Sequence, residues 1–233
     1  MPRYRRKRLY RKRPYKKRRV IRRRKRVLPV GGFPSSKIVK LRYVETISFD
    51  AGTGSYALNN FRANSIFDPN STGVGHQPSN FDRWALLYDR YTVLGSRCKV
   101  DLVPQSTNTE PGIIVLHLSE AGDDITLAHG SGGINNILEQ PRMSATRRNY
   151  YANNGPGIKP LYKSFSAKKF FSVKNIVGLT PYSADIATNP VEGAFYEVAV
   201  VSADDVNNPG AIKLRITIDY IAMLTEPKLS DAS

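Results

Sequence analysis

Cysteine is almost missing from this chain. Cys98 is the only one in 233 residues, so no internal disulfide can form, and a reducing compartment such as the cytosol or nucleus is the default. Histidine is nearly as scarce: His76, His117 and His129 are scattered without ligand-like spacing, so no metal site and no cofactor are expected. Long apolar runs are also lacking, and nothing approaches the roughly 18 to 20 residues of a membrane-spanning helix. A secretory signal would need an apolar core of about 7 to 15 residues behind its charges, whereas residues 27–30 are a short apolar stretch containing Pro29. A mitochondrial presequence would be an amphipathic, serine-containing helix, but residues 3–26 hold no serine and carry Pro14. In such a compartment the Asn70-Ser71-Thr72 sequon reads as unused.

Acid is absent where base is most abundant. From Arg3 to Arg26 there are 17 basic residues and no acidic one; the remaining 19 basic residues balance 19 acidic ones, so the net charge of +17 belongs to the start of the chain. These cations are Arg3, Arg5, Arg6, Lys7, Arg8, Arg11, Lys12, Arg13, Lys16, Lys17, Arg18, Arg19, Arg22, Arg23, Arg24, Lys25 and Arg26. So dense a block repels itself and has too little apolar surface to offset the entropy of ordering, which predicts a disordered arm until a polyanion neutralises it. Arginine predominates and suits bidentate phosphate contacts. Tyr4, Tyr10 and Tyr15 are interleaved, either to stack on unpaired bases at about 1 to 3 kcal/mol each or as spacers. The arm reads as a nucleic-acid-binding element, non-specific and steeply salt-dependent, with recognition by a nuclear import receptor as a second duty.

Beyond a Gly/Pro/Ser linker at residues 29–36, the body is patterned for strands. Residues 37–49 alternate, with Val39, Leu41, Tyr43, Ile47 and Phe49 on one face. Residues 92–103 repeat the pattern with Leu94, Ser96, Cys98, Val100 and Leu102 inward, and residues 112–119 form a short apolar run suited to a strand buried on both faces. Further strands are expected at 143–151, 161–173, 192–203 and 211–224, with an eighth near 55–61 or 174–179. One segment reads as a helix: Ser79 or Asn80 caps it, and Phe81, Trp84, Ala85 and Tyr88 follow helical spacing. A second short helix is possible at 134–140. Many strands, turn-rich loops and few helices predict an all-β fold, an eight-stranded antiparallel jelly-roll sandwich. The expected domains are a basic arm and linker at 1–36, a sandwich at 37–228 and a short tail at 229–233.

No catalytic constellation stands out. Cys98, His117 and Asp101 would be a nucleophile set only if they met across strands, and an inward Cys98 acts as a small hydrophobe. The clusters Gly52-Thr53-Gly54 and Gly130-Ser131-Gly132-Gly133 lack the lysine of a phosphate-cradling loop and read as turns. Asp123-Asp124 and Asp204-Asp205 read as loop surface. Charge along the body is segregated: residues 100–141 carry acids only, whereas 142–174 carry only bases: Arg142, Arg147, Arg148, Lys159, Lys163, Lys168, Lys169 and Lys174. The runs are either solvated strand edges or a basic side near the arm opposed to an acidic one. Tyr150, Tyr151, Tyr162, Tyr182, Phe195 and Tyr196 lie near expected strand ends, as core or as interface anchors.

Residues 76–104, HQPSNFDRWALLYDRYTVLGSRCKVDLVP, add a resemblance through Gln77, Pro78, Asp82, Trp84, Tyr88, Tyr91, Val93, Ser96 and Val100. This stretch resembles the equivalent one in capsid proteins of circular single-stranded DNA viruses, the circoviruses and their unclassified relatives, and the arm-plus-body layout is similar over almost the whole chain. The loops and final strand depart from typical circovirus capsids, which points to a relative outside that genus. The resemblance implies a jelly roll, self-assembly into an icosahedral shell of about 60 subunits, an inward-facing arm, single-stranded DNA as cargo, and nuclear import of the free subunit before packaging into virions. Some 60 arms would bring on the order of 1,000 positive charges, comparable to the phosphates of a one-to-two-kilobase strand. A ribosomal or chromosomal protein with a basic tail is the alternative, although such bodies are usually basic and this one is neutral. An enzyme carrying a localisation tail lacks a site.

Overall fold

The computed structural model describes residues 34–103, 111–139, 146–150 (backbone pairing only) and 159–228. Its longest elements follow from period-two apolar patterning. Strand β1 (Ser36–Ala51) buries Val39, Leu41, Tyr43 and Phe49, half-buries Glu45 and Ile47 on the same face, and exposes the alternate residues. It pairs antiparallel along its whole length with β9 (Gly210–Pro227), from Ser36↔Thr225 to Ala51↔Gly210. In β9, Ile212, Leu214, Ile216, Ile218, Tyr220, Ala222 and Leu224 are all buried. The other face of β9 carries Lys213, Arg215, Thr217, Asp219 and Thr225 with Ile221 and Met223 among them, the alternation of a sheet with one wet side.

The remaining strands are β2 (Tyr56–Arg62), β3 (Tyr88–Val103), β4 (Gly112–Ser119), β5 (Thr146–Tyr150), β6 (Leu161–Ser166), β7 (Ser183–Asp185) and β8 (Phe195–Ser202). One sheet runs β1-β9-β3-β6, with the three-residue β7 also pairing β3; the other runs β2-β8-β4-β5. Every pairing is antiparallel. The chain crosses from one sheet to the other between β1 and β2, β2 and β3, β3 and β4, β5 and β6, β7 and β8, and β8 and β9. Apart from the short β7, eight strands wound in this way are a jelly roll, as the sequence predicts, and the eighth expected strand is the one at 56–62. Residues 174–179 form turns instead.

Between the sheets, Tyr43, Phe61, Tyr91, Cys98, Leu116, Tyr196, Leu214 and Ile218 belong to one continuous apolar core. Each fully buried large apolar side chain contributes about 1.5 to 3 kcal/mol by leaving water. A second, smaller core lies outside the β2-β8-β4-β5 sheet. There α2 (Asp124–Glu139) sets Ile125, Ala128, Ile134 and Ile137 against Ile113, Val115, Ala199 and Val201. This layer explains why β4 reads as an unbroken apolar run: both of its faces are covered.

Several local expectations are corrected. Helix α1 (Phe81–Ala85) is a single turn, and Tyr88, assigned by spacing to its apolar face, opens β3, where pairing with Pro227 takes precedence. Asn80 occupies the N-cap in the left-handed region at φ 65° and makes no side-chain capping bond. The strand expected over 161–173 ends at Ser166 and continues as α3 (Ala167–Phe170), where Phe165, Phe170 and Phe171 pack edge to face. Helix α2 begins ten residues before the expected 134, and the glycines read as a turn form a break inside it, at Gly132 and Gly133. Gly133 has φ 65°, and a Cβ there would lie 2.4 Å from Asp205 Oδ2.

Candidate nucleic-acid interface

The alternation that buries one side of the β1-β9-β3-β6 sheet points the intervening residues at solvent on the other. Cross-strand register arranges them in rows: Lys40–Ile221–Gly95–Ser166, then Arg42–Asp219–Arg97–Ser164, Val44–Thr217–Lys99–Tyr162, Thr46–Arg215–Asp101, and Ser48–Lys213–Val103. Within these rows six cations (Lys40, Arg42, Arg97, Lys99, Lys213, Arg215) outnumber two carboxylates (Asp101, Asp219). A neutral body therefore carries a positive sheet face.

The pairing within the face leaves most of that charge free. Arg42 binds Asp219 through both ends of its guanidinium, Nε–Oδ1 at 2.6 Å and Nη2–Oδ2 at 2.9 Å. Lys99 Nζ lies 2.7 Å from Asp101 Oδ2. Lys40, Arg97, Lys213 and Arg215 form no ion pair among the described residues. The Arg97 guanidinium instead lies 4.5 Å from the Tyr162 ring centroid, a cation–π contact at an exposed site.

Two adjoining hollows mark the centre of the face. One, of about 430 Å³, runs from Lys40 and Arg42 past Gly95 to Ile221; the other, of about 300 Å³, is bounded by Arg42, Arg97, Lys99, Tyr162, Thr217 and Asp219. Gly95 makes the first hollow. The ladder shifts register between Val93 and Gly95, and a Cβ at Gly95 would meet the Phe165 carbonyl oxygen at 2.9 Å, so strand β6 can approach only a glycine. Tyr162, 43% exposed beside an arginine, has the composition of a surface on which an unpaired base stacks.

This face is not the one the basic run at 142–174 pointed to. From that run, Lys163 lies on the core-facing side of β6, where burial lowers its pKa, and Lys168 and Lys169 sit on α3. The positive face comes from outward positions of β1, β3 and β9, each interrupted in sequence by apolar residues. Its signal was the out-facing half of the same alternation that revealed the core. The 17 arm cations from Arg3 to Arg26, and Tyr4, Tyr10 and Tyr15, lie outside the described residues, as do Arg142 and Tyr151 and the side chains of Arg147, Arg148 and Tyr150.

The other candidates sort by burial. Cys98 is fully buried and its thiol pKa is pushed up by burial, while His117 lies on the far side of the second sheet; these two and Asp101 do not meet. Tyr196 is a core residue, Tyr182 packs on Phe171 with ring centroids 4.6 Å apart, and Phe195 is half-buried. Asn70 of the sequon is buried: its amide donates to Glu45 and its carbonyl oxygen accepts from Thr72, leaving it inaccessible in the folded domain. Asp204 binds the turn that follows it, and Asp205 accepts from the backbone N–H of Ile134, so both acids of that pair hold local structure.

No protein-family model and no curated protein matches the chain. Among solved structures it is similar to tobacco necrosis virus (TM-score 0.47, 13% identity, 83% of this chain and 97% of that one). It is likewise similar to turnip yellow mosaic virus (0.46, 11%, 88% and 89%) and to the decameric BFDV capsid protein (0.41, 10%, 81% and 99%). These likenesses do not single out the circular-DNA viruses. The jelly-roll assignment rests on the strand order itself.

Proposed function

We propose that this chain is a viral capsid protein. Its jelly-roll body associates with copies of itself into a small icosahedral shell of about 60 subunits, closed by symmetry, and its basic arm packages a single-stranded DNA genome without reading its sequence. The observation that carries this reading is an acid-free arm with 17 cations, joined by a short linker to the first strand of a jelly roll. Jelly rolls serve chiefly as capsid, lectin and cupin domains. A cupin needs an open cup for its ligand, whereas here the space between the sheets is filled by side chains such as Tyr43, Tyr196 and Tyr220.

The positive sheet face extends the reading. The arm is continuous with β1, the strand that presents Lys40 and Arg42, so polyanion gathered by the arm has a second row of cations close along the chain. Phosphates would sit on Lys40, Arg97, Lys213 and Arg215, and a base on Tyr162. The arm also has the composition of a nuclear import signal, and the free subunit would travel to the host nucleus before assembly.

Fluorescence anisotropy with a labelled single-stranded oligonucleotide, repeated over a range of salt, tests both surfaces. The full chain should bind with a steep salt dependence. Removing residues 1–33 should leave a folded domain that binds weakly, and Arg97→Gln with Arg215→Gln in that truncated protein should lower the salt slope by about one for each phosphate no longer neutralised. A truncated domain that binds as tightly as the full chain would remove the packaging role from the arm. Unchanged binding by the double variant would remove it from the face.

A further inference from the structure

Beneath the start of α2 lies a polar group that plays no part in nucleic-acid binding. His117 on β4 and Glu197 on β8 are cross-strand neighbours on the side of the sheet covered by α2, and Asn60 on β2 is the neighbour of Glu197 on its other flank. His117 is 2% exposed and Glu197 0%. Both Glu197 oxygens accept backbone N–H groups of the helix, from Asp124 at 3.2 Å and Ile125 at 2.9 Å. That grip sets the Asp124 carboxylate over the histidine, with Oδ2 2.9 Å from His117 Nε2.

Acceptors outnumber donors in this group. With Nε2–H donating to Asp124, His117 Nδ1 is a buried lone pair without a partner. Asn60 Oδ1 is also buried and unpartnered, its amide nitrogen being turned to the Gly122 carbonyl at 2.6 Å. Neither Asp124 nor Glu197 is paired with a lysine or arginine among the described residues. Two carboxylates and two further lone pairs, with His117 and Glu197 buried and Asn60 half-buried, make a site short of positive charge.

We propose that His117, Asp124 and Glu197 bind a divalent transition-metal ion of the Zn²⁺ class. One ligand atom from each lies within 4.8 Å of the others. A tetrahedral ion with bonds near 2 Å holds its ligands about 3.3 Å apart, a distance these side chains reach by small rotations. Imidazole selects such an ion over Mg²⁺ or Ca²⁺, which prefer all-oxygen shells. Asp124, with its side chain 48% exposed, gives the entry path and leaves a coordination position toward water. The ion would tie β4, β8 and the first turn of α2 together, pinning the outer layer to the sandwich.

The test is thermal melting and calorimetric titration of the full-length chain, stripped with chelator and then given ZnCl₂ or MgCl₂. Zn²⁺ should bind one per chain and raise the melting midpoint, and Mg²⁺ at the same concentration should not. Asp124→Asn keeps an oxygen that can accept from His117 Nε2–H, and, measured against its own metal-free midpoint, it should weaken Zn²⁺ by more than about tenfold, since even partners one shell removed from a metal are worth that much. His117→Gln should abolish binding; if it fails to fold, Asp124→Asn still decides the matter. No rise with Zn²⁺, an equal rise with Mg²⁺, or a rise undiminished in Asp124→Asn would overturn the proposal.

Discussion

Tyr91, Tyr196 and Tyr220 are each fully buried with the hydroxyl hydrogen-bonded: Tyr91 to the Thr188 carbonyl, Tyr220 to that of Arg62, and Tyr196 to Ser96 Oγ. Ser96 in turn donates to the Ala63 carbonyl at 2.6 Å, so the core is stitched by polar contacts that apolar patterning cannot reveal. Spacing put Ser96 and Cys98 on the inward face correctly; that Ser96 joins the two sheets depends on Tyr196, a hundred residues away. Burial pushes the pKa of all three phenols up. The unfolded chain loses these protons near pH 10 while the folded chain keeps them. Their contribution is therefore whole below about pH 10 and falls as pH rises beyond it, by up to about 1.4 kcal/mol per pH unit for each group. Denaturant titrations of the truncated domain should show that decline, and Tyr91→Phe should make it shallower by one phenol's share. Stability that stays level into strong alkali would contradict this account of the core.

Among the elements, β1 and β9 were legible because a half-buried strand writes its burial into every second residue. The bulge in β3 was not: Leu94, expected inward, does pack half-buried against the core, but the register shift between Val93 and Gly95 leaves no mark in the alternation, and only the approach of β6 makes Gly95 necessary. Helix α2 was half legible. Its glycines mask the apolar period, and its break is held by Asp205, which arrives from the β8–β9 connection to accept the Ile134 N–H at 2.9 and 3.0 Å. Asp205 thereby acts as a cap supplied from another part of the chain. Asp205→Ala should cost about 1 kcal/mol, the usual worth of a helix cap, and raise hydrogen exchange in residues 134–139 more than in β9. Uniform exchange in the variant would assign the acid a surface role only.

For the molecule as a whole, the jelly-roll class was the most legible feature of the described residues and the positive sheet face the least. Contiguous charge suggests a patch, yet of the 142–174 run Lys163 faces the core, Lys168 and Lys169 sit on a short helix and Arg147 and Arg148 belong to the other sheet, while Lys40, Arg97 and Arg215 converge from three strands. The pairing of His117 with Asp124 and Glu197 was hidden for the same reason: residues far apart in sequence meet only once the sheet order is known. The jelly roll follows from strand count and alternation, but its order, β1-β9-β3-β6 over β2-β8-β4-β5, is a property of the folded chain. That order places one charged sheet face and one helix-covered face on opposite sides of a neutral body. A subunit so divided has one side suited to a polyanion and another that is not.

The central claim, a packaging shell, is tested most directly by analytical ultracentrifugation of the purified full-length chain with its ultraviolet spectrum recorded across the sedimenting boundary. The account predicts a single fast boundary of megadalton particles carrying a nucleic-acid spectrum, replaced by slow, nucleic-acid-free material when residues 1–33 are removed. A slow monomer that carries nucleic acid without forming particles would contradict it and would favour a ribosomal or chromosomal role for the arm.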